Sequence, residues 1–292
     1  MTAPRPALGL GSAAALSLTS ATPGFGGEFD RVMAALSRCQ AREIAFEAGR
    51  YQPEALRRAR ALWRARIRSE YDSTTVFSQL AQQTMEANAP ADVTGVVLRM
   101  AQDELRHAQL CAGVAAALGD AQPVQAPQAF VPLARHPGRS AEERALRNII
   151  YGCCLSETVN AARFVDALET TTDPFIRETT RRLLADEVLH AQFGYLYLEL
   201  WRDWLAQNPD CVAGLRGFLP RAFAICEREL AGKDSRFRPP TADEASLGIP
   251  TPESLPVTFY QTVEQAILPA LDGFGLEATA AWRARPDSAT VV

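Results

Sequence analysis

The five residues Asp103-Glu104-Leu105-Arg106-His107 return 83 positions later as Asp186-Glu187-Val188-Leu189-His190. Residues three apart on an α-helix share a face, one turn apart. Each copy therefore aims a carboxylate and an imidazole at one point. Carboxylate oxygen and neutral imidazole nitrogen are ligands that iron and manganese accept together. Two such pairs, completed by one carboxylate from each of two further helices, make a dinuclear metal site inside a four-helix bundle. The chain has three histidines, and these motifs use two of them.

The hydrophobic periodicity is helical almost throughout, and no stretch alternates like a strand. The expected fold is all-α. A first amphipathic segment covers 28–49. Pro53 then sits where a first-turn proline belongs and opens a long helix to about Asn88. Ala89-Pro90 breaks it, and the next helix runs from about Asp92 to Leu118, stopped by Gly119. A proline-rich connection over 120–139 leads to Ser140-x-x-Glu143, which reads as a capping box. That helix reaches about Thr171, where Asp173-Pro174 supplies a cap and a first-turn proline for a fourth long helix ending near Asn208. Downstream, 212–231 reads as a helix and 258–272 as a short amphipathic one. Three regions follow: a disordered leader over 1–27, the helical bundle over 28–232, and a loop and C-terminal helix over 233–292 packing on the bundle.

Each hairpin should add one carboxylate from the helix preceding its Glu-x-x-His helix. In the second hairpin Glu157 shares a stripe with Leu146, Ile150, Cys153, Cys154, Ala161, Phe164 and Leu168. A lone carboxylate on such an apolar stripe costs several kcal/mol unless a partner removes the cost, and a metal does so. Glu169 is too near the turn to come level with Glu187. In the first hairpin Glu70, Asp72 and Glu86 compete. Glu86 stands beside the break and Asp72 lies on a mostly polar stripe, whereas Glu70 lies with Trp63, Ile67, Thr74, Phe77 and Ala81. Glu70 precedes Glu104 by 34 residues and Glu157 precedes Glu187 by 30, a difference of close to one turn that preserves the facing direction. Asp103 and Asp186 fall toward the helix flanks, where each can fix the imidazole of the opposite hairpin. Four carboxylates and two neutral imidazoles balance two divalent cations. Without them, the four ionised carboxylates would repel one another in a dry core.

Composition excludes several classes. A net charge of −4 leaves no electrostatic footprint for nucleic acid. No apolar run reaches the roughly 18 residues of a membrane helix. Residues 7–21 suggest a weak signal-like stretch, but two glycines and a single preceding Arg5 favour a leader. The match Gly9-x-Gly11-x-x-Ala14 has no preceding strand, so it does not read as a dinucleotide site. The six cysteines (39, 111, 153, 154, 211, 226) show no CxxC pairing and read as reduced core thiols, which suits a cytoplasmic protein. Arginines at 57, 58, 60, 64, 66 and 68 read as a solvated helix face, with a docking surface for an acidic redox partner as the alternative. Lys233 is the sole lysine, and His136, in the crossover, reads as a loop histidine.

These residues resemble the ferritin-like di-iron carboxylate superfamily over about 54–208. The 103–107 motif is especially similar to those of bacterial multicomponent monooxygenase hydroxylase subunits and ribonucleotide reductase small subunits. The resemblance implies a ferritin-like four-helix bundle with additional N- and C-terminal helices. It implies ligation by Glu70, Glu104, His107, Glu157, Glu187 and His190, with Asp103 and Asp186 behind the histidines. The departures are informative. Cys111 stands where ribonucleotide reductases carry a radical tyrosine, which argues against radical storage. Ala161 stands where many monooxygenases carry threonine, and Thr74 is at best a substitute. Leu183 stands where arylamine N-oxygenases carry a seventh ligand, and no four-cysteine iron centre is present.

The resemblance implies an enzyme: a di-iron, O2-dependent oxygenase or oxidase acting on a small organic substrate. Its cofactor would be two Fe, with Mn/Fe as the other pair, and O2 the co-substrate. No flavin or iron–sulfur motif is visible, so electrons must come from an external reductase or ferredoxin. A homodimer is compatible with the resemblance. Thr74, Phe77, Ala101, Cys111, Cys153, Ala161, Phe164 and Gly194 are the expected pocket lining. Two other readings stand beside this one: a ferroxidase, storage or peroxide-scavenging protein, and a Mn/Fe ligand-binding oxidase-like protein.

Overall fold

The computed structural model describes residues 44–120, 131–232 and 238–290. The leader, the Gly9–Ala14 match, Cys39, Lys233 and most of the 28–49 segment lie outside the described residues. Of that segment's end, Ala48–Arg50 form one 3-10 turn. Every element among the described residues is helical. No described helix is long and apolar enough to cross a membrane.

Helix α1 (Pro53–Glu86) begins on the expected proline. Asn88 then adopts a left-handed φ of 53°, which lets the chain reverse before Pro90 into α2 (Ala91–Ala117). Gly119, at φ 89°, stops α2. Helix α3 is α-helical over Ala141–Ile149, π-helical over Ile150–Glu157 and α-helical again over Thr158–Thr170. Its Ser140 cap forms half of the expected box: Oγ accepts from the Glu143 amide at 3.2 Å, while the Glu143 carboxylate turns to Arg147 at 2.6 Å. Helix α4 (Pro174–Leu200) starts at Asp173, whose Oδ1 accepts from the amides of Phe175 and Ile176, each at 3.0 Å.

The expected fourth helix to Asn208 is interrupted at Trp201. A short α5 (Arg202–Gln207) leads instead into α6 (Pro209–Leu230). Two short helices were not legible in the sequence: α7 (Ala242–Ser246), which carries a full capping box between Thr241 and Glu244, and α9 (Ala278–Arg283). Between them α8 runs through Ser254–Thr262, a π turn at Val263–Ile267 and Leu268–Gly273.

Helices α1 and α2 pack as one antiparallel hairpin and α3 and α4 as another. The hairpins meet through α1 against the start of α3 and through α2 against α4. The C-terminal segment packs on this core. Trp63 Nε1 donates to the Leu247 carbonyl at 3.2 Å, and Glu244 binds Arg58 and Arg238, each at 2.7 Å. Glu227 accepts from Tyr260 at 2.6 Å and from Arg285 at 2.9 Å.

The core is split in two. One apolar cluster contains Phe77, Met100, Ala101, Cys153, Cys154, Val159, Phe193 and Tyr197. The other contains Trp63, Ile67, Cys111, Val114, Phe164, Ile176 and Leu183. Each of the four long helices passes from one cluster to the other near its glutamate: Glu70, Glu104, Glu157 or Glu187. A polar layer therefore separates two dry compartments.

Helices α3 and α4 touch most closely at Gly194. A Cβ there would lie 2.7 Å from Cys153 Cβ and 2.7 Å from Cys154 Sγ, so one helix would have to move. Gly194→Ala is expected to destabilise the fold by about 1–3 kcal/mol through overpacking. Urea denaturation measures this, and an unchanged midpoint would show that the helices separate freely.

Candidate metal centre

The polar layer is built from side chains that the helices cannot turn away. Glu104 and His107 lie one turn apart on α2, and Glu187 and His190 one turn apart on α4. Glu70 projects from α1 and Glu157 from the end of the π segment. All six are buried, from His107 at 0% to Glu70 at 9% exposure. The structure brings together all six residues picked out from the sequence.

They fall into two overlapping groups. Glu70, Glu104, His107 and Glu187 each offer a ligand atom, and these four atoms lie within 4.8 Å of one another. So do atoms of Glu104, Glu157, Glu187 and His190. Glu104 and Glu187 belong to both groups, one from each repeated motif. Two candidate sites therefore lie side by side and share two carboxylates.

Distances separate this from an ordinary hydrogen-bonded cluster. His107 Nδ1 lies 3.4 Å from Glu187, 3.6 Å from Glu70 and 3.7 Å from Glu104. Those gaps are mostly too long for hydrogen bonds. Ligand atoms at about 2.1 Å from a shared ion, at octahedral to tetrahedral angles, sit about 3.0–3.5 Å apart. His190 Nδ1 and Glu104 Oε1 are 3.0 Å apart. Glu104 Oε1, Glu187 Oε2 and both Nδ1 atoms are buried without hydrogen-bond partners. Buried polar atoms are normally satisfied. Orphans converging on one region, with a nitrogen and oxygen donor set, fit a pair of transition-metal ions.

The far nitrogens of the imidazoles face the two aspartates across the hairpins. His107 Nε2 is 3.1 Å from Asp186, and His190 Nε2 is 3.7 Å from Asp103. The second gap exceeds a hydrogen bond. Arg106 Nη2 lies 2.8 Å from Asp103 and 2.6 Å from Asp186, tying the two carboxylates together. Arg99 Nε also binds Asp103, at 2.8 Å. The sequence reading missed these arginines, although Arg106 stands inside the repeat, where its counterpart is Leu189.

The expected pocket residues distribute around the layer. The Phe77 ring lies 5.5 Å from the His190 ring, inclined to it by 56°, and Ala101 and Cys153 lie in its cluster. Cys111 and Phe164 lie in the opposite cluster, and Ala161 is buried. The Thr74 hydroxyl donates to the Glu70 carbonyl at 3.2 Å, and Gly194 has no room beside it because Cys153 and Cys154 fill that space. A groove of about 440 Å³ approaches from elsewhere. Its lining includes Gly95, Val96, Met100 and Leu189, with Asp103 and His190 among its polar residues, and none of the eight expected positions. His136 keeps its structural reading: Nε2 lies 3.1 Å from Asn148 Oδ1, and the ring packs edge-on against Phe218. The five described cysteines are buried free thiols.

Burial and crowding shift the titration of these groups. Burial pushes the Glu157 carboxyl well above its usual range, with the charge of Glu187 adding to it. Burial likewise raises Glu104 and Glu187. For His107, burial opposes the charge but is outweighed by Asp186, Glu104, Glu187 and Glu70, so it rises well above the ordinary value. For His190, burial is outweighed by Asp103 and Glu104, raising it to about 9. Asp186 is held at about 2, because His107 and Arg106 overcome its burial.

No protein-family model, curated protein or solved structure matches this chain.

The raised imidazoles give the metal-free protein a defined pH response. The folded state binds their protons more tightly than the unfolded state, so the stabilisation from His190 is complete below pH 6.5 and is lost as pH rises through about 9. Denaturation in a chelator should show stability falling by on the order of 3 kcal/mol over that window. Metal binding displaces the same protons, so metal affinity should rise with pH. A metal-free midpoint independent of pH would contradict the clustering of these charges.

Proposed function

We propose that this chain is a ferritin-like di-metal carboxylate protein that uses O2 to oxidise a small organic molecule. The carrying observation is the pair of four-residue groups that share Glu104 and Glu187. A pair of irons held there, or a manganese and an iron, would supply two-electron redox chemistry and activation of O2.

The chain's own groups have distinct tasks in this reading. Glu70 and His107 would complete one metal's ligands, and Glu157 and His190 the other's. Asp186 holds the His107 ring from behind through Nε2, fixing Nδ1 toward the centre. Asp103 stands in the corresponding place behind His190. Arg106 sets the spacing of the two aspartates. The two apolar clusters exclude water on both sides, which protects a reactive oxidant and keeps the electrostatics strong. Electrons would come from an external reductase or ferredoxin, and the groove beside His190 and Asp103 is the open approach to an imidazole.

Glu104→Ala and His190→Ala are expected to remove metal loading while leaving the helical content intact. Elemental analysis and circular dichroism check this, and full retention of two metals per chain would defeat the ligand assignment. Reconstitution with ferrous iron under anaerobic conditions, followed by O2, tests the activity. A transient absorption in the near-ultraviolet to visible range should appear and decay faster with a productive substrate. Iron that oxidises only into mineral cores would favour storage instead.

A further inference from the structure

The two four-residue groups share Glu104 and Glu187, yet the histidine of each is held differently. His107 Nδ1 has three carboxylates close by: Glu187 at 3.4 Å, Glu70 at 3.6 Å and Glu104 at 3.7 Å. These gaps are close to the spacings of ligands around one ion, so this group needs little movement to close on a cation. Around His190 Nδ1, only Glu104 among the described residues comes within that range, at 3.0 Å. Glu157 and Glu187 join it only within the wider 4.8 Å span of their group. Glu104 serves both rings alike, turning Oε2 to His107 and Oε1 to His190. Glu187 does not: its Oε1 faces His107, while its Oε2 is buried without a hydrogen-bond partner.

The far side of each ring repeats the inequality. His107 Nε2 lies 3.1 Å from Asp186 Oδ2, and Arg106 holds that same oxygen at 2.6 Å. His190 Nε2 lies 3.7 Å from Asp103 Oδ2 and is buried without a hydrogen-bond partner. Arg99 and Arg106 both bind the other Asp103 oxygen, Oδ1. His190 also lines the groove, which His107 does not. A carboxylate behind a metal-binding imidazole fixes its tautomer, aims the ring and raises its basicity. Loss of such a partner lowers metal affinity by about 10–100-fold. A group already near its bound geometry also loses less on ordering its ligands. The near and the far side of the rings thus favour the same position.

We propose that the two metal positions are unequal: the Glu70–His107 position fills first and holds its ion more tightly than the Glu157–His190 position. This rests on the di-metal reading above. Asp186 is the positioning residue of the tight position, since it acts through the His107 ring. A chain short of metal therefore stands in a one-metal form with its His107 side filled. The pair that two-electron chemistry requires is complete only when the weaker position fills. Supply of metal to Glu157 and His190 then sets the fraction of chains competent to turn over.

Manganese(II) is the probe, titrated into the chelator-treated full-length protein and followed by calorimetry and by electron paramagnetic resonance, so no turnover is needed. The wild-type protein should bind two ions in two steps, the first about tenfold or more tighter than the second. Glu70→Gln and Glu157→Gln identify the positions, because each removes one carboxylate from one group only. Glu157→Gln should keep the tight step and lose the weak one, and Glu70→Gln should do the reverse. Asp186→Asn should weaken the tight step by about 10–100-fold and leave the weak step unchanged. Asp103→Asn should alter the weak step by less. Asp186→Asn that weakens both steps alike would mark a merely structural carboxylate and overturn its positioning role. The wild-type titration carries the test of unequal positions if a variant does not fold. Two ions bound with equal affinity, or a tight step that survives in Glu70→Gln, overturns the proposal and leaves the di-metal reading standing. A protein that binds no manganese overturns both.

Discussion

Four buried carboxylates face one another inside this fold, and everything around them is arranged to make that tolerable. Their mutual repulsion is strong in a low-dielectric interior. Two imidazoles stand among them, and burial together with neighbouring charge keeps protons on the cluster when cations are lacking. Rotation would not relieve the strain cheaply, because each glutamate in the layer lies near the place where its helix passes from one apolar cluster to the other. Turning Glu104 outward would carry Met100 and Cys111 out of their clusters as well. The hydrophobic core thus holds the charges together, and the charges divide the core.

The π segment of α3 shows how local geometry serves this layer. A π turn spreads five-residue spacing over the helix surface and widens its buried face. Cys153, Cys154 and Leu155 are consecutive and all 0% exposed, which a regular α-helix on a bundle surface does not present. Glu157 closes the segment. The widened turn pushes the α3 backbone and both cysteines toward α4, where only a residue without a side chain fits. Gly194 is that residue. The placement of Glu157 and the absence of a Cβ at 194 are therefore one feature seen from two helices.

Much of this was legible in the sequence because helix periodicity and the repeated motif are both local signals. The six clustered side chains, the four long helices and the reversal before Pro90 follow from spacing, proline and apolar stripes. Three features did not follow. The run Ile150–Leu155 has no charged residue to mark a face, so the sequence does not separate an α from a π register. The break at Trp201 has no proline or glycine to mark it, and across it Trp201 and Trp204 pack edge-on at 5.2 Å. Arg66 was grouped with neighbouring arginines as a solvated face. Its stacking partner Phe164 comes from another hairpin, so no stretch of α1 alone shows it.

The repeat also explains where the layer is open. In the first motif the position before histidine is Arg106, which bridges both aspartates and fills the space over His107. In the second it is Leu189, which carries no charge and lies 60% exposed on the wall of the groove beside His190. His190 Nε2 lacks the close carboxylate that His107 Nε2 has. Arg99 and Arg106 each hold Asp103 Oδ1 at 2.8 Å, while Oδ2 stays 3.7 Å from the His190 ring. The pseudo-twofold symmetry of the six-residue layer is thereby broken one shell out. His107 Nε2 lies within hydrogen-bond distance of its aspartate, whereas His190 Nε2 stands 3.7 Å from its own, beside a groove. Asymmetry of that kind gives the two halves of the layer different environments from nearly identical motifs.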